Sequence, residues 1–114
     1  IKAGTFTAFC TGYSGREPYG SRTYFSEHPQ LSMDLIQLLV EKGVSIIGVD
    51  CAGVRRGKEH TPTDQYCADR GVFIVENLWG LEQLLDSDHW IIHTYPMNYA
   101  GVTGLPCRVI AELS

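Results

Sequence analysis

"MDLIQLLVEKGVSIIGVD", residues 33–50, decides the architecture of this chain. Its first half carries apolar residues at helical spacing. Leu35, Leu38 and Leu39 share a face that Ile36 and Val40 widen, Ser32 stands where an N-cap belongs, and Gly43 where a helix stops. Its second half, "VSIIGVD", is a short apolar run of the kind found in strands buried on both faces of a parallel sheet. A helix followed at once by a buried strand is the unit from which α/β domains are built.

Working outward, "TFTAFC" (5–10) is β-branched and aromatic and predicts a strand, and "TGYSGREPYGSR" (11–22) predicts a loop. "TPTDQYCADRG" (61–71) offers a Thr cap, an early acid and a terminal Gly, which predicts a short helix over 63–70. "VFIVE" (72–76) is a second buried strand and "LWGLEQLL" (78–85) has the spacing of one or two helical turns. "HWIIHTY" (89–95) and "CRVIAEL" (107–113) predict two further strands across an irregular connection. The expectation is one α/β domain over residues 1–114, with about five strands in one sheet and three short helices. So small a helical set leaves such a sheet thinly covered.

The chain has 114 residues, 44% apolar and 19% charged, enough for one core and little room for a second. With a net charge of −4 and no long basic run, nothing draws it to nucleic acid or a membrane surface; "RRGK" (55–58) reads as a solvated loop. Four cysteines at 10, 51, 67 and 107 form no C-x-x-C pair, fit neither zinc ribbon nor disulfide scaffold, and predict reduced thiols in the cytoplasm. No stretch has the length of a membrane span and no signal peptide is visible. The first residue is Ile1, so we expect a processed or trimmed chain, or a piece of a longer one.

The polar residues concentrate in "KEHTPTDQYCADRGVFIVEN" (58–77), which holds His60, Asp64, Cys67, Asp69 and Glu76. Glu76 and Asp50 each end a predicted strand, and in open α/β sheets ligands gather at those ends. Asp64 falls in the first turn of the predicted helix and His60 in the loop before it. A His with carboxylates suits general acid–base chemistry or a metal. Each also has an ordinary role open to it: Asp64 complements a helix dipole, Glu76 caps a following helix, His60 lies on the surface. His89 and His93 are four apart, but on a strand that spacing only puts both on one face. His28, before Pro29, sits in a loop.

The order of "TGY", "LSMDLIQLLVEKGVSIIGVD", "GVFIVENLWGLEQL" and "YPMNYAGVTGLPCRVIAEL" resembles the C-terminal part of the putative cyclase family. These are the metal-dependent hydrolases that include bacterial kynurenine formamidase and isatin hydrolase. The most specific pieces are "ENLWGLEQL" and "GLPCRV", the latter matching a Gly-x-Pro-x-Arg closing strand. The resemblance runs from about Thr5 to the end. It implies a swivelling β/β/α-type fold, present here in part, in a cytoplasmic homodimer. It also implies a zinc or manganese ion that activates water to open a small amide, formamide or lactam bond.

Carried over by residue, Glu76 matches the family's metal-site Glu at the end of its strand. The family's His twelve positions earlier is Asp64 here, an oxygen donor that would make the site harder and more manganese-friendly. His60, four residues before that, is the candidate to compensate, as a proton shuttle. The family's upstream His-x-Gly-Thr-His-x-Asp ligands have no counterpart in the chain, so it is not expected to hold the metal alone. A missing N-terminal half would come from another chain or from upstream sequence. Two functions follow: a metal-dependent amide hydrolase with Asp64 and Glu76 as ligands and His60 and Glu76 as catalytic groups, or a non-catalytic scaffold or small-molecule-binding domain that has lost the metal.

Overall fold

A computed structural model describes residues 1–113. The chain, read from sequence as one domain, divides into two compact units, residues 1–83 and 84–114.

The first unit is a three-stranded parallel sheet with helices between its strands. Strand β1 is Phe6–Phe9, β2 is Ile46–Val49 and β3 is Phe73–Val75, in the spatial order β1-β2-β3. The register sets Phe6 against Ile46 and Ile47 against Ile74. Helix α1, Arg22–Ser26, and helix α2, Met33–Glu41, lie between β1 and β2; helix α3, His60–Ala68, lies between β2 and β3. Single 3-10 turns occupy Tyr13–Gly15 and Gly57–Glu59. The predicted loop over 11–22 therefore contains one 3-10 turn, and α1, which the sequence did not signal, begins where that loop ends, capped by the Ser21 hydroxyl, which accepts from the Tyr24 N–H.

Helix α2 forms where predicted. The Ser32 hydroxyl accepts from the Leu35 N–H at 3.1 Å, and Gly43 takes a left-handed φ of 75° just past the end, a conformation a side chain would oppose. Its buried face is Ile36 and Leu39, with Leu35 and Val40 partly covered. Leu38, predicted to share that face, is 42% exposed, because it lies two residues and about 200° around the helix from Ile36. Ile36 and Leu39 meet Val44, Ile47, Val49 and Val72 in the core, together with Tyr13, Tyr24 and the segment Cys51–Val54. Asp50, at the end of β2, is 2% exposed and accepts hydrogen bonds from the Thr11 and Gly12 N–H groups and the Thr11 hydroxyl. That carboxylate ties the "TGY" turn to the sheet, so its acceptor sites are spent there rather than on the rim it was expected to share with Glu76.

The second unit is an antiparallel pair, β4 (Trp90–Pro96) with β5 (Cys107–Leu113), with Trp90 opposite Leu113 and Tyr95 opposite Arg108. The single five-stranded sheet expected from sequence is thus two sheets. Strands are recognised by local pattern, whereas pairing partners are chosen by packing over long sequence distances. "LWGLEQLL" forms a 3-10 turn over Leu81–Leu84 rather than an α-helix. The α/β class stands as predicted, with one sheet parallel and the other antiparallel. No helix among the described residues is long and apolar enough to cross a membrane.

Candidate metal centre

Helix α3 begins three residues earlier than predicted, at His60. The 3-10 turn at Gly57–Glu59 runs directly into it, so no side chain caps the start, and Pro62 falls in the first turn where its missing N–H is no loss. Two expectations are corrected by this. His60 is a helical residue rather than a loop residue. Asp64 lies in the second turn, not the first, so a role as partner of the helix N-terminus does not account for it. Four residues apart on one helix, the two side chains share a face, and His60 Nε2 comes within 3.3 Å of Asp64 Oδ2.

Glu76 arrives from the other direction, immediately after β3. Asn77, the next residue, takes a left-handed φ of 59° and is pinned on two sides. Its N–H donates to the Cys51 carbonyl at 2.9 Å and its Oδ1 accepts from the Tyr24 hydroxyl at 2.8 Å. The turn this enforces brings the Glu76 carboxylate to α3. Ligand atoms of His60, Asp64 and Glu76 all lie within 4.8 Å of one another. The three residues that the sequence singled out are therefore brought together; Cys67 is buried in the core and Asp69 accepts from Gln65 on the far part of the helix.

The electrostatics of this group are unfavourable as they stand. Burial pushes the Asp64 carboxyl above its ordinary range, against the pull of His60. Burial raises Glu76 too, with His60 pulling down and Asp64 pushing up. Asp64 Oδ1 is buried with no hydrogen-bond partner, and no described residue donates to the Glu76 carboxylate. An orphaned buried acceptor of this sort costs about 1–3 kcal/mol.

His60 adds another lone pair. Its Nδ1 lies 3.1 Å from the Arg55 carbonyl, an acceptor only, so Nδ1 carries the proton and Nε2 presents its lone pair to the carboxylates. This is the arrangement that orients histidines in metal sites. The ring is also seated closely: a Cβ on Gly53 would lie 2.6 Å from Nδ1. Two desolvated carboxylates and an imidazole lone pair converging without a donor between them fit a divalent cation. The two carboxylate oxygens suit a hard divalent ion, and the imidazole lone pair beside them can take a proton.

An open cleft of about 360 Å³ touches the group, lined by His60, Glu76, Phe25, His28, Ala52 and Arg56 among others. His28 was passed over in the sequence. It is 1% exposed, its Nδ1 lies 2.7 Å from the Pro29 carbonyl, and burial, with Arg56 and His60 nearby, holds its pKa below the ordinary value. Nothing in "HPQ" signals this, because the cleft is assembled from residues thirty to fifty positions apart. Of the other histidine pair, His93 Nε2 meets Glu112 Oε2 at 2.8 Å across the β4–β5 pair.

The resemblance drawn from the motifs is borne out by comparison with known proteins. A family model described as putative cyclase matches residues 1–56. A solved structure described as a potential metal-dependent hydrolase with cyclase activity is similar over 96% of this chain, at 26% identity and a TM-score of 0.71. The chain spans 51% of that structure. No curated protein matches the chain in sequence. The family match ends before α3 and β3, so the cluster of His60, Asp64 and Glu76 rests on its own geometry.

Proposed function

We propose that this chain is the part of a metal-dependent hydrolase that supplies Asp64 and Glu76 as oxygen ligands and His60 as the proton carrier. The substrate is a small amide, formamide or lactam. The observation that carries the reading is the buried, partnerless Asp64 Oδ1 beside a second desolvated carboxylate. A divalent ion, zinc or manganese, when bound there supplies activated water and polarises a carbonyl. The residues divide the remaining work. Asp64 and Glu76 bring two carboxylates, each pushed up by partial burial, to one point. His60 holds its Nε2 lone pair ready because Nδ1–H is committed to the Arg55 carbonyl, and Asp64 Oδ2 at 3.3 Å stabilises the imidazolium once that lone pair takes a proton. Phe25 and Ala52 supply the apolar part of the cleft wall.

The similar structure is described as a potential metal-dependent hydrolase with cyclase activity, and is about twice as long. We therefore take the remaining ligands to come from outside these residues, from upstream sequence or a second chain, in a cytoplasmic homodimer. A non-catalytic scaffold that had lost its metal would have no reason to retain two uncompensated carboxylates at one point, since an apolar or amide replacement would stabilise it.

Glu76→Gln tests the assignment. It keeps the shape and removes the charge, so manganese and zinc affinity by equilibrium dialysis should fall about tenfold or more, and hydrolysis of an N-formyl arylamine should fall with it. The thermal midpoint without metal should hold or rise. Unchanged metal affinity in the variant would overturn the ligand role of Glu76.

A further inference from the structure

The cleft beside the carboxylates has a second, basic wall. It adjoins another open cleft of about 700 Å³, and Phe25, Arg56 and Gly57 line both. Arg22 lines the outer one. Arg56 is held in place at two points: its backbone N–H donates to Gln30 Oε1 at 2.9 Å, and its Nη1 donates to the His28 carbonyl at 3.0 Å. Its Nε and Nη2 have no acceptor among the described residues, and no described carboxylate lies within ion-pair distance of it or of Arg22.

Arg55, one residue earlier, shows the contrast. It spends its guanidinium on the Leu31 carbonyl and on both oxygens of Glu59. Glu59 also lines the outer cleft, and both of its oxygens are engaged by Arg55. A partly buried guanidinium fixed by one nitrogen, with its other N–H groups open to a cleft, presents the planar fork that matches a carboxylate. Phe25, 47% exposed and edge-on to Tyr24, lines both clefts beside Arg56.

We propose that Arg56, assisted by Arg22, is an anion subsite that takes a carboxylate on the substrate. An apolar body then lies across Phe25, and the carbonyl to be opened lies at His60 and Glu76. That the occupant is a substrate rests on the hydrolase reading; the subsite itself does not.

The probe is 3-phenylpropanoate against its neutral analogue 3-phenylpropanamide, titrated into the protein in EDTA, so that no metal can take the carboxylate. Binding is followed through backbone amide shifts. The acid should bind about tenfold more tightly than the amide, with the largest shifts at Arg56 and Gly57. Arg56→Gln should abolish that preference. Arg22→Gln, an exposed change that removes no hydrogen bond found in the structure, should reduce it several-fold and serves as the second variant. Equal binding of acid and amide, or a preference that survives in the variants, overturns the subsite. A separate manganese titration that left the His60 and Asp64 amides unmoved would count against the hydrolase reading alone.

Discussion

At the scale of the residue, the site depends on how His60 is seated. The ring lies flat against a backbone position that has no Cβ, and its Nδ1–H is spent on the Arg55 carbonyl. Gly53 also has a φ of 150°, which a side chain disfavours. Gly53→Ala would place a methyl 2.6 Å from Nδ1 and 2.7 Å from Cε1, so the ring must leave. Hydrolysis by the metal-loaded protein should fall about a hundredfold, the range for losing a positioned proton carrier, with manganese affinity changed much less. Turnover of an N-formyl arylamine beside a calorimetric manganese titration checks this, and an unchanged rate in the variant would mean that this seat does not position His60. The residue types of the cluster were legible in the sequence; the tautomer, the seat and the contribution of His28 were not. They follow from Gly53 and Arg55, which carry no signal until the chain is folded back onto α3.

Among the elements, α2 and α3 differ in whether a side-chain cap marks the start. Helix α2 announces itself through Ser32, whose hydroxyl accepts from Leu35 N, and through Asp34 in its first turn, which complements the dipole. Helix α3 begins from a 3-10 turn with no side-chain cap, and the Thr-Pro pair at 61–62 imitated a later start. That three-residue difference is what kept the four-residue spacing of His60 and Asp64 from reading as one helical face. The sequence expectation for α2 carries a measurable consequence. Ser32→Ala removes the cap from the element that buries Ile36 and Leu39, and should cost about 1 kcal/mol in urea unfolding. Ser32→Asp should recover most of it. A loss under a few tenths of a kcal/mol for the alanine variant would mean that packing alone sets where α2 begins.

For the whole molecule, the candidate site sets how stability responds to pH. Asp64 and Glu76 are both raised by burial, so the folded protein holds their protons where the unfolded chain has released them. Their contribution is most favourable below the unfolded values, 3.8 and 4.5, and is lost as pH rises from there through the raised folded values. His28 works in the other direction. Its pKa is lowered, chiefly by burial, so its contribution is present above 6.5 and is lost as pH falls towards the lowered value. The net slope mixes the two, and Asp64→Asn separates them: in EDTA, the variant should gain over the parent as pH rises from 4 to 7. Divalent metal reverses the sign, because it binds only the ionised carboxylates and stabilises the folded state by mass action. Manganese should therefore raise the thermal midpoint more at pH 7 than at pH 5 in the parent, and much less in Asp64→Asn. If manganese raised the midpoint equally at both pH values, the cation would be binding somewhere other than between Asp64 and Glu76, and their shared desolvation would be a structural cost with no ligand to offset it.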